Sequence, residues 1–442
     1  MLQIVLLVAV DAALLAFFLL QRDPRLLLPA VVVLLPIEFF ETQTLGALGE
    51  GGASGALRSL LNPGQALMVA TVVVAVVRWR HDPARLVPNS SLVLPVSALL
   101  LLLLLGVAWS DSFVPANSIL ILPLYAAFLF VAPSFIEDRS DIERLIVALL
   151  AAAAVLALVA VAQRAIGVFN WRDALIQSDG VSYRANATFA SPNILARFLA
   201  IAMPLGAALI LATGPRRITL YLAPAVLALS ALAIVATASR SGWIMLMLTG
   251  VLVLLLAPVA AQTKTKLLTA TALVAGLGVS LLLTQGGADA ERVRTITDSA
   301  SVLGQREYLI RAGWEMFKDS PFIGLGAGNY QHALVTSYLD AIPPWARVSL
   351  SHTSLVSVLA ELGIIGVLMF AFVGVRLAVT MIRTYLRAGD PYGRVLVAWL
   401  AASIVGIVLH SQSEGRLLDE PLLWVLLAIV IAFEVRPSLM SR

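Results

Sequence analysis

The sequence predicts an all-α polytopic membrane protein, and three observations carry the prediction. Of 442 residues, 60% are hydrophobic and 13% charged, a balance no soluble globular domain has. The mean hydropathy is +0.94, and the apolar residues fall in runs long enough to cross about 30 Å of hydrocarbon. Short basic loops recur between the runs on alternate turns, as cytoplasmic loops do.

The spans follow in chain order. The opening MLQIVLLVAVDAALLAFFLL lacks a basic leading segment and a clear cleavage site, so a retained first span is expected rather than a removed signal peptide. Gln21 to Arg25 make a short basic turn, a second span covers 26–40, and a Gly-rich loop, 41–63, lies outside. Further spans are expected at 65–79, 91–109, 117–136, 145–163, 192–213, 218–238, 243–260, 267–284, 353–382, 395–411 and 421–434. Length and hydropathy thus give about 12–13 membrane helices in one transmembrane domain, 1–442.

Orientation follows from arginine and lysine. Arg78-Trp79-Arg80-His81, Arg216-Arg217, Lys264 with Lys266, and the run from Arg383 to Arg394 are short basic loops on one face, expected to be cytoplasmic. The loops 164–191, 239–242, 285–351 and 411–420 then lie on the other side.

Composition also excludes chemistry. The chain has no cysteine, hence no disulfide, thiolate nucleophile or Cys-ligated metal. Its four histidines (His81, His332, His352 and His410) are too dispersed for an HExxH-type zinc site. Asp289-Ala290-Glu291 is a lone acidic triplet and weak as a metal site. No metal and no cofactor is expected. The isoelectric point near 9.6 reflects cytoplasmic arginines, so membrane lipids are the expected surroundings and nucleic acid is not an expected partner.

The segment 285–351 is long for a loop, and long ordered loops usually carry function. Gln305 to Lys318 reads as a helix that Ser320-Pro321 stops. Gly324, Gly326 and Gly328 give a bend, Tyr330 to Tyr338 a second short helix, and Pro343-Pro344 a rigid turn before the return to the membrane.

On the first helix, Arg306, Ile310, Trp314 and Phe317 share a stripe expected to pack on the membrane surface or on other helices. A cation on that stripe is expensive unless an anion meets it. Arg311 has Glu307 and Glu315 four residues to either side, which a surface salt ladder would explain. His352 follows Ser351, a natural N-cap, and is expected in the first turn of a span, where the helix dipole favours neutral imidazole. A neutral imidazole there can serve as a general base or simply as an interfacial cap. Arg240, in ATASRSGW, and Arg197, four residues after Asn193, both defy the positive-inside trend. They either snorkel to headgroups or fork onto phosphate oxygens. Glu361 is half a turn out of phase with His352, so a structural hydrogen bond suits it better. Glu414 and Asp419, in HSQSEGRLLDEP, are candidates for orienting His352 or binding sugar.

These residues resemble the O-antigen ligase / O-antigen polymerase superfamily. The resemblance rests on Ala238-Ser239-Arg240-Ser241-Gly242, on Gln305-Arg306 with Trp314, and on Ser320-Pro321-Phe322-Ile323-Gly324-Leu325-Gly326. Above all it rests on Ser351-His352-Thr353-Ser354 followed by Ala360-Glu361-Leu362-Gly363-Ile364-Ile365-Gly366. Thr353 stands where the family commonly has Asn. The specific motifs cover about residues 190–366 of the chain.

The resemblance implies a fold of the glycosyltransferase C-type superfamily in the bacterial inner membrane, with a periplasmic active site that works without metal. It implies an undecaprenyl-diphosphate-linked glycan as donor and lipid A-core or another glycan as acceptor. Carried over by position, His352 is the base, Arg240 and Arg306 hold the diphosphate, and Arg311 and Arg197 are further candidates for that work; Asn193, like Glu414 and Asp419, is a candidate for orienting the base or binding sugar. The expected activity is O-antigen ligase. The alternatives are a polymerase that extends a lipid-linked glycan and, from another class, a transporter of lipid-linked sugar.

Overall fold

The computed structural model describes residues 23–38, 62–110, 121–167, 184–212, 218–265, 305–341 and 353–440, with Phe17 and Thr269 besides; the side chains of Leu211, Gln305, Arg306 and Ala341 lie outside the description. No strand occurs among the described residues. The helices are α1 (Leu27–Leu34), α2 (Pro63–Trp79), α3 (Val93–Gly106), α4 (Leu122–Val131), α5 (Arg139–Ile166), α6 (Pro192–Leu211), α7 (Ala223–Ala236) and α8 (Arg240–Leu256). They continue with α9 (Gln305–Asp319), α10 (Tyr330–Thr336), α11 (Ser354–Arg387), α12 (Pro391–Glu414) and α13 (Pro421–Val435).

Among the described residues, five stretches are long and apolar enough to cross a membrane, and six shorter helical stretches are apolar in the main. Together they coincide with eleven of the expected spans. The other two, 1–20 and 267–284, lie outside the described residues, as do the Gly-rich loop 41–61 and Asp289 to Glu291. The chain is therefore a multi-pass α-helical membrane protein.

The chain divides into two compact units. The first comprises Met1–Leu145, Gln305–Thr384 and Ser411–Leu439. Here α1 and α2 lie so close that a Cβ at Gly64 would overlap the Leu35 backbone. Gln65 of α2 donates to the Tyr125 hydroxyl on α4 (3.0 Å), and the Tyr125 ring lies 5.6 Å from Trp424 on α13. At one end of this bundle the basic turns gather. Arg25 pairs with Glu137 and Asp138 at 3.0 and 2.9 Å, and Arg85 pairs with Glu137 at 3.1 Å. Arg436 donates to the Pro133 carbonyl (2.7 Å). At the opposite end lie the Leu35 carbonyl, which accepts from Asn62, and Glu38, which pairs with Arg416 (3.2 Å).

The second unit comprises Ile146–Gly304, Tyr385–His410 and Met440–Arg442. Here α6 packs on α7 and α8. Thr249 of α8 donates to the Ala200 carbonyl (3.0 Å), and Trp399 of α12 donates to Ile201 (2.9 Å). Gly242 sits where a side chain would strike Ala196.

Candidate active site

In the second unit, candidate residues gather where α6 and α8 begin. Ser191 caps α6 through its hydroxyl, and Ser239 caps α8 by accepting from Gly242 (3.2 Å). Arg240 is thus the first residue of α8 and is half-buried. Asn193, in the first turn of α6, joins the two ends. Its Oδ1 accepts from Arg184 (2.9 Å) and from Ser239 (2.8 Å). Arg197, one turn further along α6, is 1% exposed, so it does not snorkel to headgroups.

Arg184 is held from behind. Its Nε donates to the Thr237 carbonyl (2.9 Å), and its neighbour Ala185 donates to Ala236 (2.9 Å). Gln163 of α5, itself buried, accepts from Asn186 and Ala187 at 3.1 and 2.8 Å and so fixes the next bend. Ala187 and Ala238 both adopt left-handed backbone, with φ of 47° and 46°. Such strain persists only where the surroundings enforce it and clusters at functional sites. Ser241, beside Arg240, meets buried His410 of α12 (Oγ to Nε2, 3.3 Å). Arg184, Ser241 and His410 were not singled out by the sequence. Arg184 lay within a loop without a motif, and its role depends on the bend that Gln163 imposes.

In the first unit, α9 and α10 form as expected, and their core is shared with α11. Leu309, Ala312 and Met316 of α9 are fully buried with Tyr330, Ala333, Leu334 and Ala360. Of the stripe expected to pack on the membrane surface or on other helices, Trp314 is 49% exposed beside Phe317 (5.2 Å), and the neighbouring helical row faces this core. Arg311 is exposed, and Glu315 pairs with Lys318. The Tyr338 hydroxyl donates to Asp319; burial and that carboxylate push its pKa up to about 12.

The loop between α9 and α10 interlocks with α11. Gly363 breaks α11 with φ 59° and ψ −157°. In an unbroken helix, Ile364 and Ile365 would donate to the carbonyls of Ala360 and Glu361. Here they donate to Pro321 (2.9 Å) and Phe322 (3.2 Å), while Ala360 and Glu361 accept from Leu325 (2.9 Å) and Gly326 (3.0 Å). The loop therefore supplies a partner for each of the four groups that the break releases. Side chains at Gly363 and Gly324 would overlap the backbones of Phe322 and Glu361 respectively, so both glycines are obligatory. The Glu361 carboxylate closes the clasp, one oxygen on Gly328 N–H (2.9 Å) and the other on Tyr330 N–H (3.1 Å). Ala327 is bonded to the Gly106 carbonyl of α3 (3.0 Å).

The start of α11 is likewise tied down. The described helix begins at Ser354. Ser351 and His352 themselves lie outside the described residues, as does the Arg306 side chain. Ser354 donates to the Ser411 carbonyl (3.2 Å), and Gln412 accepts from Leu355 N–H (3.1 Å). The segment holding Glu414 and Asp419 therefore does meet the helix that follows His352. Asp419 lies 3.9 Å from Arg416, and Glu414 ends α12, half-buried.

Residues 225–371 match the model of the O-antigen ligase family, Wzy_C. The matched stretch holds Arg240, Arg306, Arg311, His352 and both halves of the clasp, while Asn193, Arg197, Glu414 and Asp419 lie outside it. No curated protein matches the chain. Over those residues, a third of its length, the chain is similar to the O-antigen ligase family.

Proposed function

We propose that this chain, similar to the O-antigen ligase family over residues 225–371, is an inverting glycosyltransferase that moves a glycan from undecaprenyl diphosphate to a sugar hydroxyl of lipid A-core. The donor and acceptor would meet at the periplasmic face of the inner membrane. The observation that carries the reading is Arg240 at the first turn of α8, directly after Ser239 of the Arg184–Asn193–Ser239 network. Helix N-termini and guanidinium forks both favour phosphate oxygens.

In this reading His352 takes the proton of the acceptor hydroxyl as its oxygen attacks the anomeric carbon. The bond from that carbon to the diphosphate oxygen breaks with inversion. Arg240 and Arg306, with Arg197 and Arg311 as further candidates, stabilise the charge that develops on the departing diphosphate. Fixed cations would then do the work of a metal, and Gln412, Glu414 or Asp419 would orient the base.

The test is transfer from purified polyprenyl-diphosphate donor to lipid A-core in nanodiscs, with EDTA present. Wild type should transfer, while His352→Ala and Arg240→Ala should remain folded and fail. Lengthening of the donor glycan without transfer to lipid A-core would move the assignment to the polymerase. Donor bound or moved across the bilayer without bond formation would move it to the transporter.

A further inference from the structure

We infer that the segment Ser320–Gly324 re-enters the apolar layer of the membrane, and that Phe322 and Ile323 lie against lipid acyl chains. The clasp fixes the depth. Gly363 stands nine residues after Ser354, the start of α11, which at a rise of 1.5 Å per residue is about 13 Å along the helix. The bilayer's hydrocarbon is about 30 Å thick. Pro321 and Phe322 bond to Ile364 and Ile365, just beyond that point, so the loop reaches as deep as the break does.

Three further observations agree. Phe322 is 70% and Ile323 48% exposed, and they continue the exposed apolar row of α11 that includes Ile364, Ile365 and Leu368. From Ser320 to Gly328 the chain carries no ionisable residue, although Lys318-Asp319 stands immediately before it. Part of the loop's backbone is partnered, as hydrocarbon demands of irregular segments. Gly324 N–H bonds Ser320 (3.0 Å), the Ser320 hydroxyl bonds Gly324 (2.9 Å), and the four clasp bonds serve the rest of the contact with α11. The loop also ends against α3 at Gly106 and Ser110, where that helix's apolar run ends beside half-exposed Trp109. The occupant is the bilayer because the same row of α11 that must face lipid runs on without a step into Phe322 and Ile323.

The chain has no cysteine, so Phe322→Cys and Ile323→Cys in the full-length protein each give one labelling site. A nitroxide at each, in nanodiscs, would be tested for collision with oxygen, which partitions into hydrocarbon, and with a nickel chelate, which stays in water. Leu368→Cys serves as the lipid-facing reference and Asp340→Cys as the aqueous one. The expected result is oxygen-dominated relaxation at 322 and 323, matching Leu368. Nickel-dominated relaxation like that at Asp340 would overturn the inference by placing the loop in water. Low collision with both reagents would overturn it by placing protein over the patch. Should the cysteine variants misfold, Phe322→Leu and Phe322→Lys decide. The expected result is a folded, membrane-inserted Leu variant and a Lys variant of lower yield and melting temperature, and equal behaviour of the two would refute lipid contact.

Discussion

The two units treat broken backbone differently. In the second unit, helices end and begin at Ser191, Asn193, Ser239 and Arg240, and side chains satisfy the ends. In the first, α11 is interrupted at Gly363, and another stretch of backbone satisfies the interruption. Side-chain capping leaves polar and charged groups at the site for chemistry. Backbone exchange leaves none, but it fixes α9 and α11 against each other with little freedom. One unit thus places Arg184 and Arg240 at its helix ends, and the other sets the geometry of the helix that follows His352.

The sharpest way to break this contrast is Gly363→Ala. A Cβ there meets left-handed backbone and the Phe322 carbonyl, so loss of about 3 kcal/mol or more is expected from strain and lost clasp bonds together. The readout is thermal unfolding, with protease nicking between α9 and α10 as a local reporter. Arg240→Ala should do the reverse. Its melting temperature should stay near wild type while turnover falls about 10²–10³-fold, as when one preorganised charge donor is removed. Glu361→Gln stands between the two. It keeps one carboxyl-type acceptor and turns the other into a donor facing an N–H, costing about 1–3 kcal/mol. Amide exchange at Gly328 and Tyr330 should rise, with the Arg184–Asn193 region unchanged. The smallest effect is at Tyr338, whose hydroxyl pKa is raised to about 12. A raised value means that its contribution is full below the unfolded tyrosine pKa of about 10 and fades as pH climbs toward about 12. The stability gap between wild type and Tyr338→Phe should therefore close over that window and be constant below it.

The spans were legible because hydrocarbon thickness leaves a length signature in the sequence. The clasp was not, although its glycines were visible. Gly324, Gly326 and Gly328 read as a bend, and Gly363 is one of several glycines in an unbroken apolar run. Nothing in composition says that a backbone carbonyl will bond to a loop 40 residues away in the chain rather than to its own helix, so only the structure joins the two motifs. The two rows of α9 are a related case. Arg306–Phe317 and Leu309–Met316 are neighbouring rows of one helix, and periodicity alone does not rank them. Arg240 and Arg197 stand out in the sequence because a cation that defies the positive-inside trend needs a reason. Arg184 shares that side but carries no motif, and its partners follow from a bend that Gln163 of α5 holds at Asn186 and Ala187.

The exchange of partners at Gly363 also bears on the order of assembly. A straight α11 would satisfy Ala360, Glu361, Ile364 and Ile365 from within, so the helix needs nothing from the loop in order to enter the bilayer. The break costs those two internal bonds and returns four only when residues 321–326 are in place. The nascent chain can therefore insert α11 as a plain rod and bend it afterwards. The bent form then certifies that the α9–α10 segment has docked, because the bonds that replace the helix's own come from that segment.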